Sequence, residues 1–139
     1  MKSYVKSDKI AVSTFIIMAL YVIGRGTYWS TSTEKVVNES PLYIVLHEIL
    51  PIYIWGLLFV FSGLCFLLAA VFYPKVDINN RSNNFLIIGG TLSGIIHVIM
   101  AASSISNGSE WFFPYQYCVF AMLFFYLAFM GGSNRVGKR

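Results

Sequence analysis

The chain has 139 residues, of which 57% are hydrophobic and only 12% are Asp, Glu, Lys or Arg. A soluble domain carries about 25% charged residues. This chain has half that share of charged residues and a mean hydropathy of +0.67. Its composition therefore excludes a water-exposed surface over most of the molecule. It also excludes a disordered chain, a collagen and a nucleic-acid-binding domain, although the net charge is +4. The hydrophobic residues suffice for four membrane helices of about 20 residues each.

Four long apolar runs, separated by three short polar segments, predict an all-α integral membrane protein. Every backbone N–H and C=O in lipid needs an internal partner, so such runs are helices. The period-two alternation of a membrane barrel is missing. We therefore expect a single membrane domain, residues 1–139, built as a four-transmembrane-helix bundle with short loops. The expected spans cover residues 10–29, 52–73, 85–104 and 111–131.

The second apolar run, residues 42–73, is too long for one span. Its 32 residues would make a helix of about 48 Å, whereas the hydrocarbon core is about 30 Å thick. Pro51 removes a helical hydrogen bond, so we expect residues 42–50 to form an interfacial approach helix and residues 52–73 to form the span. Pro74 is expected to end this span, and the pair Gly131-Gly132 to end the fourth.

The first run has a second interpretation, a cleaved secretory signal. Three lysines precede 15 apolar residues, as in a signal peptide, but no Ala-x-Ala site follows. A span is the simpler interpretation, and cleavage would leave three spans.

Basic residues predict the orientation, because Lys and Arg favour the cytoplasmic side of membrane proteins. Eight of the ten flank the apolar runs on one side, and Arg25 and Lys35 lie on the other. We therefore expect a multi-pass protein of the cell membrane with both termini in the cytoplasm. The eight are Lys2, Lys6, Lys9, Lys75, Arg81, Arg135, Lys138 and Arg139.

Small residues recur along one face of three predicted helices, where they let backbones approach each other in lipid. The third span carries a GxxxG, and the other two carry a seven-residue spacing. This pattern predicts either packing within the chain or a homo-oligomer interface. The residues are Gly56, Gly63 and Ala70, then Gly90, Gly94 and Ala101, then Ala121 and Ala128, with Gly132 four positions later.

Four ionisable residues form the candidate intramembrane polar site: His97, Glu48, His47 and Arg25. Charged groups at mid-bilayer cost about 2.5 to 3.5 kcal/mol, so each is a functional candidate. His97 lies well inside the third span on its small-residue face, with Ser93 and Tyr117 as expected neighbours. It is either a neutral structural histidine or a group that handles protons or contacts a ligand. Arg25 is expected to reach the headgroups, and Glu48 to pair with it.

No cofactor, metal site or catalytic set is predicted. His47-Glu48 lacks the second histidine of His-Glu-x-x-His, and His47 and His97 differ in depth by about 18 Å, too far for one haem. Cys65 and Cys118 differ by about 9 Å, beyond the roughly 7 Å that a disulfide spans. Both cysteines are expected to be small packing residues.

These observations favour a non-enzymatic protein that acts by helix association in the bilayer. It would be an accessory or assembly subunit, or a self-oligomer, including a pore of the phage-type holin kind, although no motif marks one. Its expected partners are the lipid bilayer and another membrane protein or itself, with no nucleic acid. The alternative is a small transporter or ligand-binding bundle that uses His97, and an intramembrane enzyme comes third.

Overall fold

The computed structural model describes residues 2–75 and 80–136, and it is all-helical over them. The helices are α1 (Lys2–Thr31), α2 (Thr33–Glu39), α3 (Pro41–Ile49), α4 (Ile52–Phe72), α5 (Arg81–Ser106) and α6 (Phe112–Val136), with a 3-10 turn at Tyr73–Lys75. Lys138 and Arg139, two of the eight basic residues on the expected cytoplasmic side, lie outside the described residues.

Four of these helices are long and apolar enough to cross a membrane: Asp8–Thr31, Ile52–Phe72, Arg81–Ser106 and Phe112–Asn134. The four long apolar helices that the sequence predicts are therefore present. The first and third are longer than expected at both ends, the second ends one residue earlier, and the fourth begins one residue later. The fourth prediction was wrong at its end, because α6 continues through Gly131-Gly132 to Val136. Gly131 instead faces α5, where an added Cβ would lie 2.7 Å from the Asn83 carbonyl oxygen.

The break at Pro51 is confirmed. Leu50 has an extended backbone, with φ −155° and ψ 133°, as a residue before proline prefers. The approach helix α3 begins where the Ser40 hydroxyl accepts a hydrogen bond from Leu42 N–H and Pro41 takes the first helical position. The Trp55 indole N–H donates to the Leu46 carbonyl oxygen at 3.0 Å. This bond ties the start of α4 back to α3.

Glycines bring the helices into backbone contact. An added Cβ at Gly56 in α4 would lie 2.6 Å from the Gly26 carbonyl oxygen of α1, and one at Gly90 in α5 would lie 2.6 Å from the Phe124 carbonyl oxygen of α6. Neither position has room for a side chain. The predicted small-residue face of the third span thus packs within the chain.

The remaining small residues behave differently from one another. Gly63, Ala70, Ala101 and Ala121 are also buried, as the spacing predicts. Gly132 is an exception, since open space surrounds it. Its neighbour Gly131 makes the contact, because the helix rotates by about 100° between consecutive residues.

Helices α4 and α5 are additionally joined by hydroxyl groups. The Ser62 hydroxyl donates to the Gly89 carbonyl oxygen at 2.8 Å and lies 2.5 Å from the Ser93 hydroxyl. Helices α1 and α6 close the bundle through aromatic rings, with Tyr21 stacked on Phe120 at 4.9 Å between centroids. The α1–α4 and α5–α6 sides of the bundle are therefore packed at glycines, the α4–α5 side is joined by serine hydroxyls, and the fourth side, the α1–α6 seam, is packed by rings.

We expect Gly90→Leu to destabilise the bundle by about 1 to 3 kcal/mol, the usual cost of overpacking. Gly24→Leu is the matched control, because Gly24 is exposed and has nothing near its Cβ position. Reversible unfolding of the purified protein in mild detergent with added SDS measures both. Equal stabilities of the two variants would contradict the packing described here.

Candidate polar site in the bundle

His97 lies at the centre of the bundle and is fully buried. Aromatic rings from two neighbouring helices surround it, with centroids 5.4 Å away for Phe59 of α4, and 5.6 Å and 5.1 Å away for Phe120 and Phe124 of α6. The expected neighbours are also present. The Ser93 carbonyl oxygen lies 2.8 Å from His97 Nδ1, and the Tyr117 ring lies 6.5 Å from the imidazole.

The hydrogen bond to Ser93 fixes the protonation of the neutral ring. A carbonyl oxygen only accepts, so Nδ1 carries the proton and donates it. Nε2 is then an acceptor, and it has no hydrogen-bond partner among the described residues. A buried polar atom without a partner costs about 1 to 3 kcal/mol. This orphaned nitrogen is the feature that distinguishes His97 from an ordinary packed histidine.

Arg25 turns into the bundle. Its guanidinium donates to the Tyr21 hydroxyl at 3.0 Å and to the Tyr43 hydroxyl at 3.5 Å. It also lies over two rings, 5.1 Å from the centroid of Trp29 and 5.5 Å from that of Tyr117. Cations are attracted to the faces of aromatic rings. These partners replace the headgroups that the sequence suggested.

Glu48 and His47 do not join this cluster. Glu48 is exposed on α3, and within the described part of the chain no ion pair joins it to Arg25. The expected ion pair between Glu48 and Arg25 was therefore wrong, and Arg25 donates to two tyrosine hydroxyls instead. His47 Nδ1 accepts a hydrogen bond from Ile52 N–H at 3.2 Å. It supports the turn between α3 and α4, where Pro51 leaves the start of α4 in need of an acceptor.

Two tyrosines connect the arginine and the histidine. Tyr21 and Tyr117 both contact Arg25, and their rings lie 6.3 Å and 6.5 Å from the imidazole of His97. Tyr43 completes the group, and burial raises its pKa to about 12. Its hydroxyl is therefore neutral at physiological pH, and Arg25 remains a cation held by hydroxyls and rings.

A cavity of about 390 Å³ adjoins this cluster at the end of the bundle where α3 begins and α5 ends. Tyr43 and Tyr117 line it, and both also contact the guanidinium of Arg25. Ser104 also lines it, and the Ser104 hydroxyl is buried without a partner among the described residues. The lining residues are Glu39, Ser40, Leu42, Tyr43, Ser104, Ser109, Glu110, Phe113 and Tyr117.

The two cysteines are both free thiols. Cys65 is buried and packs beside Gly89 of α5, since an added Cβ at Gly89 would lie 3.1 Å from Cys65 Cβ. Cys118 is exposed on α6. The packing role expected of both thus holds for Cys65 and was wrong for Cys118.

We expect His97→Met to leave the stability of the bundle unchanged or to raise it by up to about 1 kcal/mol, because the variant keeps most of the volume and removes the orphaned nitrogen. His97→Gln is the matched polar variant and keeps an acceptor at this position. Unfolding in mild detergent measures the free energy of unfolding of both variants. A loss of several kcal/mol in His97→Met, without a similar loss in His97→Gln, would mean that Nε2 makes a stabilising bond.

The chain matches no family model, no curated protein and no solved structure.

Proposed function

We propose that this chain is a non-enzymatic multi-pass membrane protein whose bundle binds a small ligand through an anionic group at Arg25. The observation that carries the proposal is the partner set of the guanidinium, which consists of hydroxyls and rings with no carboxylate in ion-pair contact among the described residues. A charged group at membrane depth is costly and marks a functional site by default. A carboxylate or phosphate is the group that would compensate it best.

The orphaned acceptor of His97 supports the same proposal. Tyr21 and Tyr117 contact Arg25 and also face the imidazole, so a ligand that displaces one ring can reach both groups. A donor on the ligand, such as a hydroxyl, would satisfy Nε2. The sequence offers a ligand-binding bundle that uses His97 as an alternative, and in this proposal Arg25 binds the ligand together with His97.

Helix association as the main function has less support. The glycine faces that suggested this function already make contacts within the chain, since Gly56 of α4 contacts α1 and Gly90 of α5 contacts α6. What α1 and α6 turn outward is a set of large apolar side chains such as Leu20, Met122 and Phe129. Such surfaces suit contact with lipid chains.

The proposal includes an orientation. Lys9 and Arg81 lie near the end of the bundle that holds the amino terminus, and the cavity lies at the other end with Glu39 and Glu110. With basic residues inside, both termini are cytoplasmic and the cavity opens on the opposite side. The ligand therefore arrives from outside the cell or from the outer leaflet.

Reporter fusions measure the topology. We expect a reporter after Arg139, or within residues 79–84, to report the cytoplasm, and one beside Glu39 to report the opposite side. A cytoplasmic signal beside Glu39 would overturn the orientation. A mature chain beginning near Thr33 would establish signal cleavage instead.

Inorganic phosphate tests the arginine site. A ligand that binds only the folded protein at ten times its Kd stabilises it by about 1.4 kcal/mol, so we expect phosphate to raise the melting temperature in maltoside detergent at constant ionic strength. Arg25→Gln should remove this rise, and Arg25→Lys should reduce it, because lysine lacks the bidentate geometry.

Lys35→Gln is the matched control, since Lys35 is exposed on α2 and its loss changes the net charge equally. The control should keep the phosphate effect. The proposal fails when phosphate has no effect on the wild type, or when Arg25→Gln keeps the effect while its circular dichroism shows an intact helical fold.

A further inference from the structure

The cavity brings together two of the six acidic residues of the chain. Glu39 ends α2, whereas Glu110 precedes α6, so the fold places distant carboxylates around one opening. Both are exposed, and the Tyr28 hydroxyl of α1 donates a hydrogen bond to Glu39. This bond restrains Glu39 at the edge of the cavity.

Aromatic side chains line the same cavity as these carboxylates. Tyr43, Phe113 and Tyr117 line the cavity from α3 and α6. Aromatic walls combined with carboxylates are the surroundings that proteins use for ammonium groups, because the ring faces and the carboxylates both attract a cation. The outer part of the cavity therefore suits a positive group.

A second observation comes from Ser104. Its hydroxyl is fully buried, has no partner among the described residues and belongs to a residue that lines this same cavity. Buried hydroxyls are nearly always hydrogen-bonded. An unsatisfied hydroxyl at the wall of this cavity favours a polar occupant over an apolar one.

Opposite charges lie close to the same two tyrosines. Glu39 and Glu110 line the cavity together with Tyr43 and Tyr117, and the guanidinium of Arg25 contacts both of these tyrosines. We infer that the ligand carries both charges, with an ammonium group between Glu39 and Glu110 and an anionic group that reaches Arg25 past Tyr43 and Tyr117. This inference rests on the proposed function, since it takes Arg25 as the anion site.

The volume agrees with a small ligand of this class. Pockets for small molecules measure about 300 to 1,000 Å³, and this cavity of about 390 Å³ is at the lower end. An ammonium joined to a phosphate by a short chain fits the charges and the size. Such chemistry occurs in soluble molecules and in the headgroups of lipids, and the α1–α6 seam beside Tyr117 borders the bilayer.

Phosphocholine and its two parts provide the test. Binding of phosphate, choline and phosphocholine to the purified full-length chain in maltoside is measured by calorimetry. We expect phosphocholine to bind about tenfold more tightly than phosphate, the gain of one additional charge-assisted contact. Glu39→Gln and Glu110→Gln should each reduce this advantage and leave the affinity for phosphate unchanged. Glu48→Gln, an exposed carboxylate outside the cavity, should change neither.

The outcomes separate the two proposals. Equal affinities for phosphate and phosphocholine, both dependent on Arg25, would overturn the inference of a doubly charged ligand and keep the anion site. A wild-type protein that binds choline but neither phosphate nor phosphocholine would overturn both. Circular dichroism of each variant shows that its fold is intact before it is compared.

A second experiment distinguishes a soluble ligand from a lipid that carries the same headgroup. The protein is placed in nanodiscs of phosphatidylglycerol, and either phosphocholine or phosphatidylcholine is added. A Glu110-dependent rise in melting temperature with phosphocholine supports a soluble ligand. A rise that only phosphatidylcholine gives supports a lipid that enters from the membrane. No rise with either, in a protein that also shows no phosphocholine advantage in maltoside, overturns the inference.

Discussion

Backbone contact at glycines is the constraint on which the rest of this structure depends. In lipid there is no hydrophobic drive to press two apolar helices together, so they associate where their surfaces fit closely. Gly26 and Gly56 allow this fit between α1 and α4, and Gly90 allows it between α5 and α6. A single methyl group at any of these positions would overlap backbone atoms. The helix axes therefore have few alternative spacings, and side chains near the contacts take fixed positions.

The polar cluster follows from this fixed spacing. His97 is seven residues after Gly90 on the same face of α5, so the contact of Gly90 with α6 also directs the imidazole into the bundle. The rings of Phe59, Phe120 and Phe124 then fill the space around it. Arg25 follows Tyr21 by one helical turn, and Gly26 brings this part of α1 against α4. The guanidinium thus lies against hydroxyls and rings, a position that the hydroxyls stabilise only in part.

Much of the fold was predictable because it depends on local sequence. Hydropathy gave the four long helices, the conformational restriction at Pro51 gave the break between α3 and α4, and spacing gave the buried face with Gly90 and Gly94. The direction of Arg25 was not predictable, because it depends on Tyr43, which is brought beside it only when α3 folds back along the bundle. The cavity was missed for the same reason, since Glu39 and Glu110 are distant in sequence. A tyrosine four residues before an arginine in an apolar helix was the one available signal.

The ring-lined seam between α1 and α6 gives the bundle a direction in which it deforms most easily. Stacked rings such as Tyr21 and Phe120 can slide over each other with a small loss of dispersion energy, whereas glycine contacts separate only when whole helices move apart. The serine bonds between α4 and α5 make those two helices the stationary half of the molecule. Thermal breathing should therefore widen one side only, and that side exposes the aromatic face of Tyr117. The α4–α5 pair is thus the rigid part of the molecule, and the α1–α6 seam is the boundary at which it opens most easily.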